Sequence, residues 1–161
     1  MKSLLSIFIL LVFVNNPEIT EIRRLYASVI QSETNAKEFA SKLSEVGKED
    51  NKTLYAYKGV SMTLLARYKK EVSEKSKTFK EGAKMVEFAV ASEPNNIEIR
   101  LIRLSIQEKA PKILKYSTNK KDDKNFILTH YKEQTGNLKE FLKNFIQNSK
   151  SFSTAEKQTI N

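Results

Sequence analysis

The chain has 161 residues, with 28 Lys and Arg against 19 Asp and Glu, and its formal net charge is +9. It contains no Cys, one His, four Gly and three Pro. The absence of Cys excludes disulfides, thiolate metal sites, iron–sulfur clusters and Cys nucleophiles. The scarcity of Gly and Pro argues against a turn-rich all-β fold, and the length predicts one globular domain.

The extreme N-terminus has the pattern of a targeting signal. Lys2 precedes about a dozen uncharged residues, 3–14, and Pro17 follows soon after them. That run is long enough for a signal-peptide core but too short to span about 30 Å of hydrocarbon as a helix. We therefore expect residues 1–15 to be a signal peptide, cleaved or retained, and the protein to be exported, either periplasmic or secreted. Val14 is larger than the usual residue at a cleavage site, which leaves a first buried helix as the alternative.

From residue 16 onward the apolar residues recur at helical spacing, which predicts an all-α domain of about seven helices over 16–149. Capping residues and turn signals set the ends of the predicted helices, which are, in chain order, 17–31, 36–46, 52–70, 78–92, 97–108, 120–133 and one carrying 138–146. A polar loop is expected at 71–77, a short helical turn within 112–118 and a flexible tail at 150–161, although a capping-box pattern occurs inside the tail.

The fifth predicted helix differs from the others in having two apolar sides. Its apolar residues form two stripes that face nearly opposite directions: Ile97, Leu101 and Leu104 in one, Ile99, Ile102 and Ile106 in the other. Arg100 and Arg103 share the remaining polar strip. A helix that is apolar on both sides is covered on both sides, so we expect this helix to be the central element.

Small residues form a stripe along the third predicted helix. Ala56, Gly59, Thr63 and Ala66 fall on one side of it. Glycine inside a helix costs about 1 kcal/mol relative to alanine. A neighbouring backbone that approaches closely at Gly59 would offset this cost, so we expect close helix packing there.

Residues 82–96, with the sequence GAKMVEFAVASEPNN, resemble the second helix of a tetratricopeptide repeat. Gly82, Val86, Ala89 and Pro94 occupy the offsets at which that family has a small residue, a bulky residue, Ala and Pro. The resemblance implies antiparallel helix pairs in a right-handed α-superhelix that binds peptides or partner proteins on a concave face.

The preceding helix resembles the first helix of the same repeat at Tyr55 and Gly59, whereas Lys58 and Met62 depart from its pattern. One degenerate repeat therefore covers about 55–96. The clamp of two carboxylates with which some members hold C-terminal peptides is not recognisable, which puts that ligand class in doubt. The stretch from Glu93 to Phe126 also resembles small exported proteins of the Bacteroidota type, a resemblance that implies no activity.

No pattern typical of catalysis, nucleotide binding or metal binding occurs in the sequence. His130 has no motif around it, and Asp122 and Asp123 stand at a predicted helix start, where carboxylates suit the helix dipole. We therefore expect a non-enzymatic protein without cofactor or metal. The least favoured alternative is a hydrolase or ligand-binding protein with a pocket near His130.

Positive charge is the strongest remaining signal, because residues 109–161 carry 11 Lys against five acidic residues. The simplest interpretation is a Lys-rich face that only contacts solvent. A more specific interpretation is that these lysines bind an anionic envelope surface or a polyanion. The predicted export argues against nucleic acid. Aromatic and Arg side chains dominate recognition surfaces. The residues we expect to line a binding groove are Tyr55, Tyr57, Arg67, Tyr68, Arg100, Arg103 and Tyr116.

The sequence therefore predicts an exported helical scaffold that mediates protein–protein or peptide interaction. The alternative is an electrostatic binder that contacts an anionic envelope surface or a polyanion through the Lys-rich C-terminal third.

Overall fold

The computed structural model describes residues 17–160, and over that range the chain forms helices and turns without a β-strand. The all-α fold class predicted from the sequence is confirmed. The described range contains eight α-helices rather than about seven: α1 (Ile19–Ser28), α2 (Glu33–Lys42), α3 (Lys52–Leu65), α4 (Val72–Ser92), α5 (Ile97–Lys109), α6 (Lys120–His130), α7 (Gly136–Asn148) and α8 (Thr154–Gln158). Short 3₁₀ turns cover Ala66–Tyr68, Lys112–Leu114 and Tyr131–Glu133. The predicted signal segment, 1–15, lies outside the described residues.

Helix α5 is the central element, as its two apolar stripes predict. Its first side, with Ile99, Ile102 and Ile106, packs into a core built with α1 to α4. Its second side, with Ile97, Leu101 and Leu104, packs into a separate core built with α6 and α7 and the segment around α8. All six side chains are buried. The domain therefore consists of two apolar cores that share one helix.

Helices α3 and α4 approach each other most closely where Gly59 faces Gly82. A Cβ atom on Gly59 would lie only 2.6 Å from the carbonyl oxygen of Gly82, and a Cβ atom on Gly82 would collide with the carbonyl oxygen of Gly59. The small-residue stripe of α3 predicts this close packing, and Gly82 is its counterpart on α4.

The first turns of α4 replace the polar loop that the sequence predicts at 71–77. This segment contains neither Gly nor Pro, and once a helix has formed, each added residue gains one hydrogen bond. Helix α2 likewise begins earlier than predicted, because the side chain of Ser32 caps it by accepting a hydrogen bond from the Asn35 amide at 3.1 Å. Asn35, which immediately precedes the predicted start at residue 36, instead donates from its Nδ2 to the carbonyl oxygen of Ser28.

The C-terminal segment packs on the domain, although the sequence suggests little to bury there. Helix α8 begins with the predicted capping box, in which Ser153 and Glu156 exchange hydrogen bonds. Phe152 and Ile160, on either side of α8, are buried in the second core. These two apolar side chains anchor a segment that is otherwise polar.

A buried ionic network joins α4, α5 and α6. Asp123 is fully buried and accepts hydrogen bonds from Arg103 Nε and Nη2, both at 2.7 Å, and from Arg100 Nη1 at 3.0 Å. Arg103 Nη1 also donates to Glu87 at 2.9 Å. Asp123 is therefore the shared counter-ion of two arginines, which corrects its interpretation as a carboxylate placed at a helix start for the dipole alone. Asn119 holds the predicted cap position but makes no side-chain cap bond.

A second network connects α1, α3 and α5. Arg23 donates from Nε and Nη2 to the two carboxylate oxygens of Glu98 at 2.8 and 2.6 Å. The buried Tyr57 hydroxyl donates to Glu98 Oε1 at 2.7 Å. Bidentate contacts of this kind fix geometry as well as contributing energy, so the network sets how α1 and α3 sit on α5.

Buried tyrosines make the fold sensitive to alkaline pH. Burial raises the pKa of Tyr26 to about 12 and raises the pKa of Tyr57 well above its usual value. Both side chains titrate near pH 10 in the unfolded chain, so above that pH the unfolded state releases protons that the folded state keeps. We expect the free energy of unfolding to fall as pH rises above about 10. Tyrosinate absorbance should show these two residues ionising together with loss of helical circular dichroism. Ionisation of all six tyrosines in the intact fold near pH 10 would contradict this expectation.

Candidate functional site

A groove with a volume of about 890 Å³ and a largely apolar lining opens on the surface of the domain. Its walls are the end of α3 with the following 3₁₀ turn, the first half of α4, and the end of α5 with the turn at 111–115. The floor is apolar and consists of Val60, Leu64, Ala66, Phe79, Ile106 and Leu114. These side chains belong to or pack against the first core, so the groove is an opening onto that core.

Exposed apolar side chains surround this floor. In the described part of the chain four large hydrophobic residues are exposed, and three of them line the groove: Ile113 at 87%, Val72 at 80% and Ile30 at 46%. Single exposed hydrophobic residues are ordinary on protein surfaces, but contiguous apolar patches mark interaction sites. The clustering of these three around one apolar floor therefore identifies the groove as a candidate binding surface.

The rim of the groove is basic. Five cationic side chains line it, and none of the lining residues is acidic: Arg67, Lys75, Lys80, Lys109 and Lys115. Across residues 17–160, none of these five has a carboxylate within 4.0 Å. The rim thus carries positive charge that the described part of the fold does not neutralise by direct pairing.

The environment of Lys109 combines desolvation with charges of both signs, and desolvation has the largest effect on its pKa. Desolvation lowers the pKa of Lys109, the charge of Glu108 opposes that shift and the charge of Arg67 adds to it. A positive group next to the groove is therefore held close to another positive group. An anion placed between them would relieve the repulsion.

The residues predicted from the sequence to line a groove do not meet in one place. Arg67 lines the groove, and Tyr68, the next residue, is exposed but is not among the lining residues. Tyr57 lies fully buried in the first core. Tyr55 packs edge-on against Phe88, with ring centres 5.8 Å apart.

Arg100, Arg103 and Tyr116 meet in the ionic network around Asp123 and Glu87. The Tyr116 hydroxyl donates to Glu87 Oε1 at 2.5 Å, and burial raises the pKa of Tyr116. Burial alone would lower the pKa of Arg103, but hydrogen bonds and charge from Asp123 and Glu87 raise it overall. The Tyr116 ring packs edge-on against Phe79, which forms part of the groove floor. The network therefore contacts the groove through the packing of Tyr116 on Phe79.

His130 lies away from the groove. Its ring packs on Phe126, with centres 4.3 Å apart, and its Nδ1 lies 3.0 Å from Glu133 Oε2. Both partners are within four residues in the chain, so the contacts of His130 are local to α6 and the turn that follows it.

Sequence reasoning missed the groove because it placed two of its exposed apolar residues in connections, Val72 in a polar loop at 71–77 and Ile113 in a segment expected to hold a short helical turn at 112–118. Val72 stands alone in EVSEK and Ile113 lies in PKILK. The available signal was a β-branched residue in a short segment rich in charged residues. Its meaning depends on the fold, which brings both residues beside Ile30 from a third segment.

No family model, curated protein or solved structure matches this chain. None of the helices between residues 17 and 160 has the length and apolar character needed to cross a bilayer.

Proposed function

We propose that this protein is a non-enzymatic, exported interaction module whose groove binds an acidic amphipathic helix of a partner protein. The observation that carries the proposal is the combination of an apolar floor, exposed apolar side chains and an unpaired basic rim in one groove. An amphipathic helix places its apolar face into such a groove and its polar flanks on the rim.

The charge of the rim selects the chemistry of the partner. Five cations surround the apolar floor, and no carboxylate lines it. A basic or neutral segment would leave the repulsion among these cations in place, whereas Glu and Asp on the flanks of a bound helix would relieve it. Complementary charge of this kind favours the correct partner and speeds its association.

The size of the groove fits the apolar stripe of a short helix. The groove has a volume of about 890 Å³, and six apolar side chains form its floor. A partner helix with apolar residues at i, i+3, i+4 and i+7 would present such a stripe along about two turns.

A tetratricopeptide-like arrangement of helix pairs is part of this proposal. Three features support it: the close contact of Gly59 and Gly82, the burial of Ala89, and Pro94 just after α4. Export is also part of the proposal and rests on the apolar run at 3–14 in the sequence.

A titration with designed peptides tests the function. The first peptide is a helix of about 16 residues, labelled for fluorescence anisotropy, with Leu at i, i+3, i+4 and i+7 and Glu on both flanks. The second has Lys in place of every Glu. We expect the Glu peptide to bind saturably, with one peptide per chain, and the Lys peptide to bind at least about tenfold more weakly.

Variants of the exposed side chains locate the binding. Val72→Ser and Ile113→Ser remove apolar surface that is already in water, so both variants should fold normally and should weaken binding of the Glu peptide about tenfold or more. Tyr68→Ser is the matched control, because Tyr68 is also an exposed hydrophobic residue but does not line the groove. Absence of saturable binding, or equal losses in all three variants, would contradict the proposal.

A further inference from the structure

A second concave surface, with a volume of about 490 Å³, is lined mainly by lysines. The lysines come from three separate parts of the chain, namely the end of α5, the first turns of α6 and the connection after α7: Lys109, Lys120, Lys121, Lys124 and Lys150. The fold therefore brings together like charges that are distant in sequence.

Most of this positive charge is not paired. Lys124 contacts Glu156 at 2.8 Å, which accounts for one of the five lysines. Across residues 17–160, Lys109, Lys120, Lys121 and Lys150 have no carboxylate within 4.0 Å. Lys120 is also partly buried, so its ammonium group has less access to screening solvent than a fully exposed lysine.

The one acidic residue lining this surface, Glu108, is occupied by other donors. Its Oε1 accepts hydrogen bonds from the Ser149 hydroxyl and from the Ser151 amide, the latter at 3.0 Å. These bonds tie the connection after α7 to the end of α5. They place Lys150 near the lysines of α6, and the charge of Glu108 acts on Lys109, where it opposes the desolvation that lowers the pKa of that lysine.

Ser151 adds a hydrogen-bonding group with no partner among the described residues. It lines the same surface, and its buried hydroxyl oxygen makes no hydrogen bond there. Buried hydroxyls are normally hydrogen-bonded, and one left without a partner calls for an explanation. A ligand oxygen could accept the missing bond once the Ser151 side chain turns toward the pocket, because its hydroxyl oxygen is shielded from solvent in this conformation.

We propose that this surface, which we call the lysine pocket, binds a compact phosphate group with several negative charges, of the pyrophosphate class. Lysine ammonium groups are strong point-charge partners for phosphate. Convergence of several lysines on a small concave surface favours a compact ligand over an extended polyanion. This proposal does not rest on the proposed function of the groove, although Lys109 lines both surfaces.

The test measures pyrophosphate binding to the full chain at low salt by calorimetry. The pocket variant is Lys120→Gln/Lys150→Gln, which leaves every residue of the groove unchanged. The control variant is Lys77→Gln/Lys84→Gln, which has the same net charge but alters two exposed lysines of α4 outside the lysine pocket. We expect the pocket variant to lose about tenfold in affinity and the control variant to lose less than about twofold.

A second pair of measurements identifies the source of the phosphate and the role of the hydroxyl. Co-sedimentation with vesicles that contain phosphatidylglycerol compares the pocket and control variants again, now for binding to a lipid headgroup. If Lys120→Gln/Lys150→Gln loses affinity for pyrophosphate alone, and the control variant does not, the lysine pocket binds a soluble ligand. If the pocket variant loses binding to the vesicles, and the control variant does not, the lysine pocket binds a lipid headgroup. Ser151→Ala should weaken the same binding without lowering the free energy of unfolding. Equal losses in the pocket and control variants, or no binding in either arm, would overturn the proposal.

Discussion

Replacing Asp123 with alanine is expected to lower the free energy of unfolding by about 3–5 kcal/mol. Asp123 is fully buried and accepts three hydrogen bonds from Arg100 and Arg103. Arg103 is itself buried, so the substitution leaves a buried charge without its main partner and with Glu87 as its remaining carboxylate. Loss of one partner from a buried ion pair is costly for that reason.

Asp122→Ala is the matched control for this substitution. Asp122 stands next to Asp123 in the first turn of α6, but it is exposed and has no ion pair among the described residues. If both carboxylates acted only through the helix dipole, each substitution would cost about 0.3–1 kcal/mol. Denaturant unfolding of the two variants separates these cases. Similar losses for Asp122→Ala and Asp123→Ala would show that the buried network contributes little.

Gly82→Ala is expected to destabilise the protein by about 2 kcal/mol, although alanine is the better helix former. Helix propensity alone would stabilise the variant by about 1 kcal/mol. The added methyl group would collide with the carbonyl oxygen of Gly59, which belongs to the backbone and cannot rotate away as a side chain can. Helices α3 and α4 would have to separate. Overpacking commonly costs about 1–3 kcal/mol, and a collision with backbone belongs at the upper end of that range, so a cost of about 3 kcal/mol less the gain of about 1 kcal/mol leaves a net loss of about 2 kcal/mol.

Gly59→Ala tests the same contact from the other helix and should lower the free energy of unfolding to a similar extent. Gly47→Ala is the control, because Gly47 lies in an exposed turn where the nearest atom to an added Cβ is Asp50 Oδ2 at 3.4 Å. This control should change the free energy of unfolding by less than about 0.5 kcal/mol. Stabilisation by either Gly59→Ala or Gly82→Ala would mean that the two helices can move apart at no cost.

The periodicity of the sequence was sufficient to predict the all-α class and the central position of α5. Two stripes of three apolar residues on nearly opposite sides of one helix can be buried only if both sides are covered. The structure buries Ile102 in one core and Leu101 in the other. Such patterns lie within one short segment, so they can be identified without knowing which other helices pack against that segment.

Contacts between distant segments could not be predicted in the same way. Arg103 and Asp123 are 20 residues apart on different helices, and the dipole of α6 offered a sufficient local reason for the carboxylate. The groove depends on still more distant relations, because Ile30, Val72 and Ile113 meet there from three separate segments. Their proximity is a property of the fold and is not encoded in any short pattern.

The most direct test of the central claim is to map the Glu-flanked peptide onto the full chain by amide chemical-shift perturbation. We predict shifts concentrated at the end of α3, the first half of α4 and residues 109–115, which surround the groove. Val72→Ser and Ile113→Ser should reduce these shifts at equal peptide concentration, and Tyr68→Ser should leave them unchanged. Shifts confined to α6 through α8, or no saturable shifts at all, would contradict the assignment of the groove as the docking surface.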